Sequence, residues 1–352
     1  MPPEVSIRGA GPVGCALALL LHAAGRSVVV VERKTLPGEV PLRPIALSHA
    51  SRLILERAGV WHALHPTAIE TIHISRQGAF GRTCLDAADA GVPALGYVVD
   101  YASLLRGLFA RLESSRIRIE AESSDAPLVV HAEGSSSASK EKNYSQEALV
   151  ALVTARPEAA HTAWERFTPE GPLALLPLGA HYCAVWGMRP DRARVLCGAP
   201  EADFLEALSN AFGGRAGQFV AVGERNRTSL ALRVRVLRVG AREAYVGNAA
   251  QLLHPVAGQG LNLGLRDAWD LAQVLRDARD PGEARVLERY AAMRRLDAMA
   301  SVRITDFLAG AFLGASPLPG FLLGFGLTAL DICLPARRFF ARRMIYGTSA
   351  LP

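Results

Sequence analysis

Two glycine-rich segments, far apart in the chain, have the residue types and spacing for cofactor chemistry. The first is Gly9-Ala10-Gly11-Pro12-Val13-Gly14, which follows a short apolar strand at residues 5–7. In such a motif the first glycine permits a tight turn, the second lets a pyrophosphate approach the backbone, and the third lets helix and strand pack closely. Backbone N–H groups at the start of the next helix also attract phosphate. The segment predicts a dinucleotide site at Gly9, Gly11 and Gly14.

The elements after this motif fit the same kind of site. A helix is predicted from about Val13 to Ala24, and a second strand, Val28–Val31, ends at Glu32. A carboxylate at this position accepts hydrogen bonds from ribose hydroxyls and repels a 2′-phosphate. The pattern therefore favours FAD or NAD over NADP. The alternative is a glycine turn in some other α/β protein.

The second segment runs from Gly247 to Gly264 and follows a predicted strand at residues 244–246. Gly258 and Gly260 permit a flat ring to approach the backbone, and a helix is predicted from near Gly260 to about Asp277. The N-terminus of that helix would stabilise the negative charge that an isoalloxazine ring gains near N1 and C2 on reduction. The segment thus indicates a flavin. The alternative is a glycine-rich turn between strand and helix that binds no ligand.

The hydrophobic pattern predicts an α/β fold around these segments. Further strands are expected at residues 95–99, 116–120, 128–130, 148–154, 173–176, 182–186 and 234–239, and a helix at 202–212. Two polar runs, 123–125 and 135–143, are expected to be loops. We expect a Rossmann-like FAD-binding domain (residues 1–70, 95–150 and 240–300), a mixed β-sheet substrate domain (71–94 and 151–239) and a helical C-terminal tail (301–352).

Composition narrows the class of protein. The chain has 352 residues, half of them hydrophobic, which is enough for one large or two intimate domains. Its five cysteines are scattered without CxxC spacing, which argues for a reducing, cytoplasmic setting and against disulfides or a metal site. We expect no secretory leader, because the first strand begins within a few residues of the N-terminus. Because no lysine-rich run contains interleaved aromatics, we expect no nucleic-acid partner. The net charge of +6 could favour an anionic membrane surface.

The most specific patterns lie at residues 247–267 and 165–177. The first reads Gly247-Asn248-Ala249-Ala250-Gln251 through Gly264-Leu265-Arg266-Asp267, and the second reads Glu165-Arg166-Phe167-Thr168-Pro169-Glu170-Gly171 through Pro177. Together they resemble the ubiquinone-biosynthesis ring hydroxylases, the UbiH-type group of flavoprotein monooxygenases with the para-hydroxybenzoate hydroxylase fold. The resemblance covers most of the chain. Relatives outside this group mostly have Asp at the position of Asn248.

The resemblance implies that the protein hydroxylates the ring of a polyprenylated phenol with O₂, through a flavin C4a-hydroperoxide. It implies FAD as the cofactor. NAD(P)H or a partner protein would supply the electrons, since the sequence shows no separate nicotinamide domain. Other ubiquinone-biosynthesis proteins are candidate partners. The cofactor carries the difficult chemistry, so few acid–base side chains are needed.

The same resemblance suggests the site residues. The implied catalytic residues are His254, Pro255 and Arg43, the last at the position where the family places a flavin-contacting arginine. His254 could hydrogen-bond or deprotonate the phenol, or it could be an inert loop histidine. The implied cofactor-binding residues are Gly9, Gly11, Gly14, Glu32, Arg33, Arg43, Glu133, Asn248, Gly258, Gln259, Gly260, Leu261 and Asn262.

Two departures from the family pattern lie near the cofactor. The family has an Asp-Gly pair after a strand, whereas this chain has Glu133-Gly134 after the strand at 128–130. The segment between that strand and the one at 116–120 is also shortened. These departures leave open a second interpretation, a flavin-fold assembly component of the same pathway without turnover. A halogenase or prenyl reductase is a third, weaker interpretation.

The C-terminal region is apolar and then basic. Residues 307–330 contain no charged side chain over 24 positions, but Pro317, Pro319 and five glycines interrupt them. We therefore expect a helical cap or a lipid-touching surface, at the inner membrane, rather than a transmembrane helix. Four arginines follow, mixed with apolar residues: Arg337, Arg338, Arg342, Arg343, Phe339, Phe340 and Ile345. Ordinary core helices with a solvated basic end are the alternative.

Overall fold

The computed structural model describes residues 2–33, 43–78, 80–122, 125–134, 139–235, 237–252, 259–313 and 317–347. Over these ranges the strands form three sheets and the helices pack around them. The predicted fold class is confirmed. A largely parallel six-stranded sheet is followed by a larger mixed sheet of eight strands, and the C-terminal tail is helical.

The six-stranded sheet holds the first glycine segment. Its strands, in spatial order, are β15 (Val239–Gly240), β16 (Glu243–Tyr245), β9 (Leu128–His131), β1 (Val5–Arg8), β2 (Val28–Val31) and β8 (Arg118–Glu120). All neighbours pair in parallel except β15 and β16. The unbroken valine run of β2 is buried on both faces, as expected for an inner strand of a parallel sheet.

The eight-stranded sheet forms the second large layer. Its strands, in spatial order, are β17 (Gln251–Leu252), β14 (Gln218–Arg235), β10 (Ser139–Arg156), β13 (His181–Met188), β12 (Pro172–Leu178), β11 (Thr162–Phe167), β5 (Thr71–Arg76) and β6 (Arg82–Asp86). Neighbours are antiparallel except β11 and β5. One face packs against α5 (Pro190–Gly198) and α6 (Glu201–Phe212) and forms its own apolar core.

A small antiparallel sheet links the two large ones. It contains β3 (Pro44–Ser48), β7 (Gly96–Asp100) and β4 (Thr67–Ile69), with β7 in the centre. Val98 of β7 and Ile69 of β4 pack against Ala163 of β11. The eight-stranded sheet therefore packs against the small sheet through these residues.

The helices around the six-stranded sheet bury mainly apolar faces. They are α1 (Pro12–Ala23), α2 (His49–Arg57), α4 (Tyr101–Ser114), α7 (Gln259–Leu275) and α8 (Ala284–Leu313). In α4 the leucines expected to face the core, Leu104, Leu105, Leu108 and Leu112, are buried. The 3.6-residue spacing of these leucines thus predicts the buried face correctly.

Two predictions about local structure are wrong. The strand expected at residues 234–239 is not continuous, because β14 ends at Arg235 and β15 begins at Val239. Residues 139–143 belong to β10 rather than to a loop, since Ser139 pairs with Arg235 and Asn143 pairs with Ala231. Pairing with the long strand β14 supplies the backbone hydrogen bonds, and the local polar composition cannot reveal that partner. The eight-stranded sheet consequently begins at Ser139, and β17 joins it from the segment expected in the FAD-binding domain. The division into domains stays a proposal.

The tail folds back onto the protein as helices. These are α9 (Pro317–Ile332) and α10 (Leu334–Tyr346), beside the short helix α3 (Ala87–Ala90). Asp331 accepts a hydrogen bond from Cys84 N at 2.9 Å, and Arg337 pairs with Asp89 at 2.8 Å. None of the described helices is sufficiently long and apolar to cross a membrane.

Candidate FAD site

The first glycine turn is shaped by close backbone packing. Gly9 has φ +105° and its N–H donates to Val31 O at 2.8 Å. A Cβ on Gly9 would lie 2.9 Å from the backbone of Ala132 and Glu133, and one on Gly14 would overlap Gly9 O. Both glycines are therefore needed for the approach of β9 and α1 to the turn.

Gly11 differs, because a Cβ there would meet nothing within 4 Å. It is the N-cap of α1 and has no side chain with which to cap the helix. The backbone N–H groups at this helix start, and the room in front of Gly11, fit a pyrophosphate.

Glu32 lies beside the same turn. Its Oε2 accepts a hydrogen bond from Ala10 N at 3.0 Å, and its own N–H donates to Glu120 O at 2.9 Å. The carboxylate is thus at the end of β2, as the sequence predicts, and steadies the glycine turn. Its contact with a ribose stays a prediction, as does the role of Arg33, which is exposed.

The structure brings the second glycine segment against the first. Gly247 has φ +59°, and a Cβ on Gly247 would lie 3.1 Å from Val13 Cγ2. A Cβ on Gly264 would lie 2.7 Å from the same atom and 3.0 Å from Gly247 Cα. Val13, in the first turn of α1, is therefore wedged between two glycines of the second segment. Glycine at these positions is what lets α1 and α7 approach so closely.

The residues around the start of α7 leave room for a ligand. Asn248 is exposed directly after β16, and a Cβ on Gly260 would meet nothing within 4 Å. Gln259 is half-buried, and Leu261 packs against the core. The predicted site residues His254, Pro255 and Gly258 lie outside the described residues.

Asn262 joins α7 to the segment after Arg43. Its Oδ1 accepts hydrogen bonds from Ser48 N at 2.8 Å and Ser51 Oγ at 2.7 Å, and its Nδ2 donates to Ala46 O at 3.0 Å. The side chain is buried. Asn262 thus positions the start of α7 through the protein itself, and direct contact with the flavin stays a prediction.

Arg43 lies at the start of β3, near the N-terminus of α4. Its guanidinium carbon is 5.2 Å from the centre of the Tyr101 ring, and its N–H lies 3.4 Å from Asp100 Oδ1. Burial raises the pKa of the Tyr101 hydroxyl, which the nearby Arg43 partly offsets. The arginine is exposed and stacked on an aromatic ring, so it is available to an anionic or electron-rich group.

Glu133 follows β9 beside the first glycine turn, and its side chain is directed towards a histidine. Its N–H lies against Gly9, and its Oε2 is 3.3 Å from His131 Nδ1. The His131 ring stacks on Tyr245 with the centroids 4.6 Å apart. A direct contact of this longer side chain with the cofactor stays a prediction.

A buried charged cluster supports the second segment and is absent from the sequence-based site. Asp267 accepts hydrogen bonds from Gly247 N at 3.1 Å, Gln251 Nε2 at 2.7 Å and Arg294 Nε at 2.6 Å. Arg294 also contacts Asp270 at 2.9 Å and Asp297 at 2.7 Å.

The electrostatics of this cluster are balanced. Burial alone would lower the pKa of Arg294, but Asp267, Asp297 and Asp270 together raise it above its usual value. Charged residues at three-residue spacing on otherwise buried faces of α7 and α8 are the sequence signal that could have revealed the cluster.

Comparison with known proteins identifies the family. A family model described as "FAD binding domain" matches residues 3–123 and 126–305. The chain belongs to this FAD-binding family. FAD is accordingly its cofactor, and the open turn at Gly11 beside the second glycine segment fits that molecule.

The curated relatives extend over nearly the whole chain. The 3-demethoxyubiquinol 3-hydroxylase of Escherichia coli is 30% identical, covering 94% of this chain and 95% of that protein. The ubiquinone hydroxylase UbiL of Rhodospirillum rubrum is 31% identical, covering 99% and 90%. An uncharacterized protein of Synechocystis is 31% identical, covering 97% and 92%. The resemblance to ubiquinone-biosynthesis hydroxylases is thereby confirmed.

Solved structures share the fold at low sequence identity. The p-nitrophenol 4-monooxygenase of Pseudomonas putida superimposes with a TM-score of 0.76 at 18% identity, covering 99% of both chains. HpxO of Klebsiella pneumoniae, in complex with FAD and uric acid, gives 0.72 at 16% identity and covers 96% of both chains. These similarities show that this chain has the same fold as these proteins.

Proposed function

We propose that this protein is an FAD-dependent monooxygenase that hydroxylates the ring of a polyprenylated phenol in ubiquinone biosynthesis. One observation carries the proposal: the two glycine segments meet at Val13, with open room at Gly11 and Gly260. The two relatives named as ubiquinol or ubiquinone hydroxylases align over 95% and 90% of their length and support the substrate class.

In this proposal the residues of the chain bind FAD and orient it in the site. The start of α1 at Gly11 holds the pyrophosphate, Glu32 faces a ribose, and the start of α7 with Asn248 lies beside the flavin ring. When bound, FAD activates O₂ and transfers one oxygen atom to the phenol ring. Arg43 is the proposed flavin-contacting arginine, and His254 and Pro255 are kept as proposed catalytic residues on the sequence resemblance alone. NAD(P)H is the proposed reductant.

A second candidate function is an assembly component that keeps the fold without turnover. It is favoured by the turn of Glu133 towards His131 and by the short connection between β8 and β9.

Complementation of a bacterial strain lacking ubiquinone ring hydroxylation separates the two functions. We expect the wild type to restore ubiquinone and Gly260→Val to fail. If His254 hydrogen-bonds or deprotonates the phenol, the His254→Ala variant will bind FAD but will restore less ubiquinone than the wild type does. A flavin-loaded wild type that restores nothing supports the assembly function.

The tail is proposed to rest on a membrane surface, where a polyprenylated substrate resides. Three large apolar side chains there are exposed: Phe325 by 65%, Ile332 by 80% and Phe339 by 74%. Arg338 and Arg342 are also exposed nearby. Apolar side chains flanked by arginines match an anionic bilayer surface.

A further inference from the structure

The strand β11 presents two chemically different faces. Trp164 and Arg166 face the helices: the Trp164 ring is 5.9 Å from the Phe212 ring, and Arg166 Nε donates to Ala211 O at 3.1 Å. Because side chains alternate along a strand, Ala163 and Glu165 lie on the opposite face.

That opposite face is turned towards the cofactor-binding part of the protein. Ala163 packs against Val98 of β7, with Ala46 of β3 at the edge of the same cluster. The strand β3 ends at Ser48, whose N–H is bonded to Asn262 at the start of α7. Glu165, two residues from Ala163, thus lies on the side of the sheet where the flavin ring is expected.

The surroundings of Glu165 form an apolar, incompletely covered wall. Its register partners across neighbouring strands are Ile74 and Ala174, followed by Val185 and Val150. All five side chains in this row are half-buried. The adjacent row on the other face contains Leu173, Trp186 and Leu149, which are fully buried against the helices. A half-buried wall with apolar side chains on both sides of Glu165 suits a prenylated ring.

Glu165 is the polar group among these five residues, whereas Thr83 and Asn226 continue the row at its two ends, and the Glu165 carboxylate is unpaired. Its carboxylate makes no hydrogen bond or ion pair with any residue that the structure describes. Burial raises its pKa from 4.5 to about 7. A carboxylate in such a place is costly to stability unless a ligand uses it, and it can gain or lose a proton near neutral pH.

We propose that Glu165 is a catalytic residue that contacts the substrate: its carboxylate accepts a hydrogen bond from the phenol hydroxyl and takes that proton. This inference rests on the proposed function. As the O–H bond breaks, its electron pair moves into the ring and makes the carbon that receives the oxygen more nucleophilic. The proton returns to the same oxygen when that carbon loses its hydrogen to water and the ring regains aromaticity. O₂ and reduced FAD, already required, supply the oxygen atom and two electrons: one atom of O₂ forms the new C–O bond as the O–O bond breaks, and the other atom leaves as water.

The test compares Glu165→Gln with Glu170→Gln in the FAD-loaded protein. Glu170 lies in the turn after β11 and forms a surface ion pair with Arg192 at 2.9 Å, so it is a matched control. The substrate is 2-geranylphenol. Its binding is followed by the change in flavin absorbance, and kcat and KM are measured between pH 5.5 and 8.5.

We expect kcat/KM of the wild type and of Glu170→Gln to rise as pH increases through about 7, since the carboxylate must be ionised. Glu165→Gln should lose this rise and lose roughly 100-fold in kcat, while its FAD content stays the same. Glu165→Asp should recover part of the pH dependence.

Equal kcat and an unchanged pH profile in Glu165→Gln, beside an active wild type, would overturn this inference alone. A flavin-loaded wild type that neither binds nor hydroxylates the phenol would overturn the proposed function together with the inference.

Discussion

At the residue scale, neighbouring glycines of one motif have different physical roles. Gly9 and Gly14 are fixed by protein backbone that a Cβ would strike, whereas the space at Gly11 is open in the protein without ligand. Only Gly11 is thus required by the cofactor rather than by the fold.

Replacing Gly11 with Val tests this difference. We expect Gly11→Val to fold with nearly wild-type apoprotein stability but to lose FAD, because its side chain occupies the room of the pyrophosphate. Gly14→Val is the contrasting variant and should lower the free energy of unfolding of the apoprotein. Flavin absorbance after gel filtration and urea unfolding measure both effects. Stoichiometric FAD in Gly11→Val would show that the pyrophosphate lies elsewhere.

Glu165 makes stability depend on pH in a direction opposite to that of a paired carboxylate. Its folded pKa of about 7 exceeds the unfolded value of 4.5, so the folded state binds more protons between these pH values. Protonation of Glu165 therefore makes its full contribution to the free energy of unfolding below pH 4.5, and this contribution is lost as the pH rises through about 7.

We expect Glu165→Gln to exceed the wild type in free energy of unfolding by about 2 kcal/mol at pH 8, with a small difference at pH 5. Part of the full shift is discounted because the side chain is half-buried rather than fully buried. Urea unfolding at the two pH values, without substrate, is the measurement. A constant difference across pH would mean that Glu165 is not the titrating group.

At the element scale, the strand–turn–helix around Gly9 and the helix after Gly260 could be predicted from sequence. Their glycine spacing and apolar runs are local signals, and the observed bounds of α1 and α7 lie within two residues of the predicted ones. The extension of β10 to Ser139 and the wall position of Glu165 could not be predicted. Both depend on which strand or helix covers a face, and the covering element is distant in sequence.

The charged cluster beneath Gly247 is another long-range feature, since Arg294 reaches Asp267 from α8. We expect Arg294→Met to lower the free energy of unfolding by about 3–5 kcal/mol, because it leaves buried carboxylates without their cation. Arg289→Met, on an exposed position of the same helix, is the control and should change little. Thermal and urea unfolding give the comparison. If both variants lowered the free energy of unfolding by a similar amount, the charged cluster would not be what stabilises the second glycine segment.

At the scale of the whole molecule, the exposed apolar residues of α9 and α10 form the surface that we propose for contact with an anionic membrane. We expect the protein to co-sediment with vesicles containing phosphatidylglycerol, and less so as salt increases. The combined variant Phe325→Ser, Ile332→Ser, Phe339→Ser should lose this binding while it retains FAD. Substituting serine at exposed Val195 on α5 serves as the control. Equal sedimentation of both variants would place the membrane surface elsewhere.

We propose that this protein, with FAD bound, inserts one oxygen atom from O₂ into a prenylated phenol. Mass spectrometry of one turnover tests it directly: FAD-loaded protein is reduced by light, mixed with ¹⁸O₂ and 2-geranylphenol, and the product is weighed. EDTA is the sacrificial electron donor in this photoreduction, so the outcome does not depend on the natural reductant. We expect a hydroxylated product carrying one ¹⁸O atom with the wild type, and no such product with Gly11→Val. Unchanged phenol and release of hydrogen peroxide from a flavin-loaded wild type would contradict it.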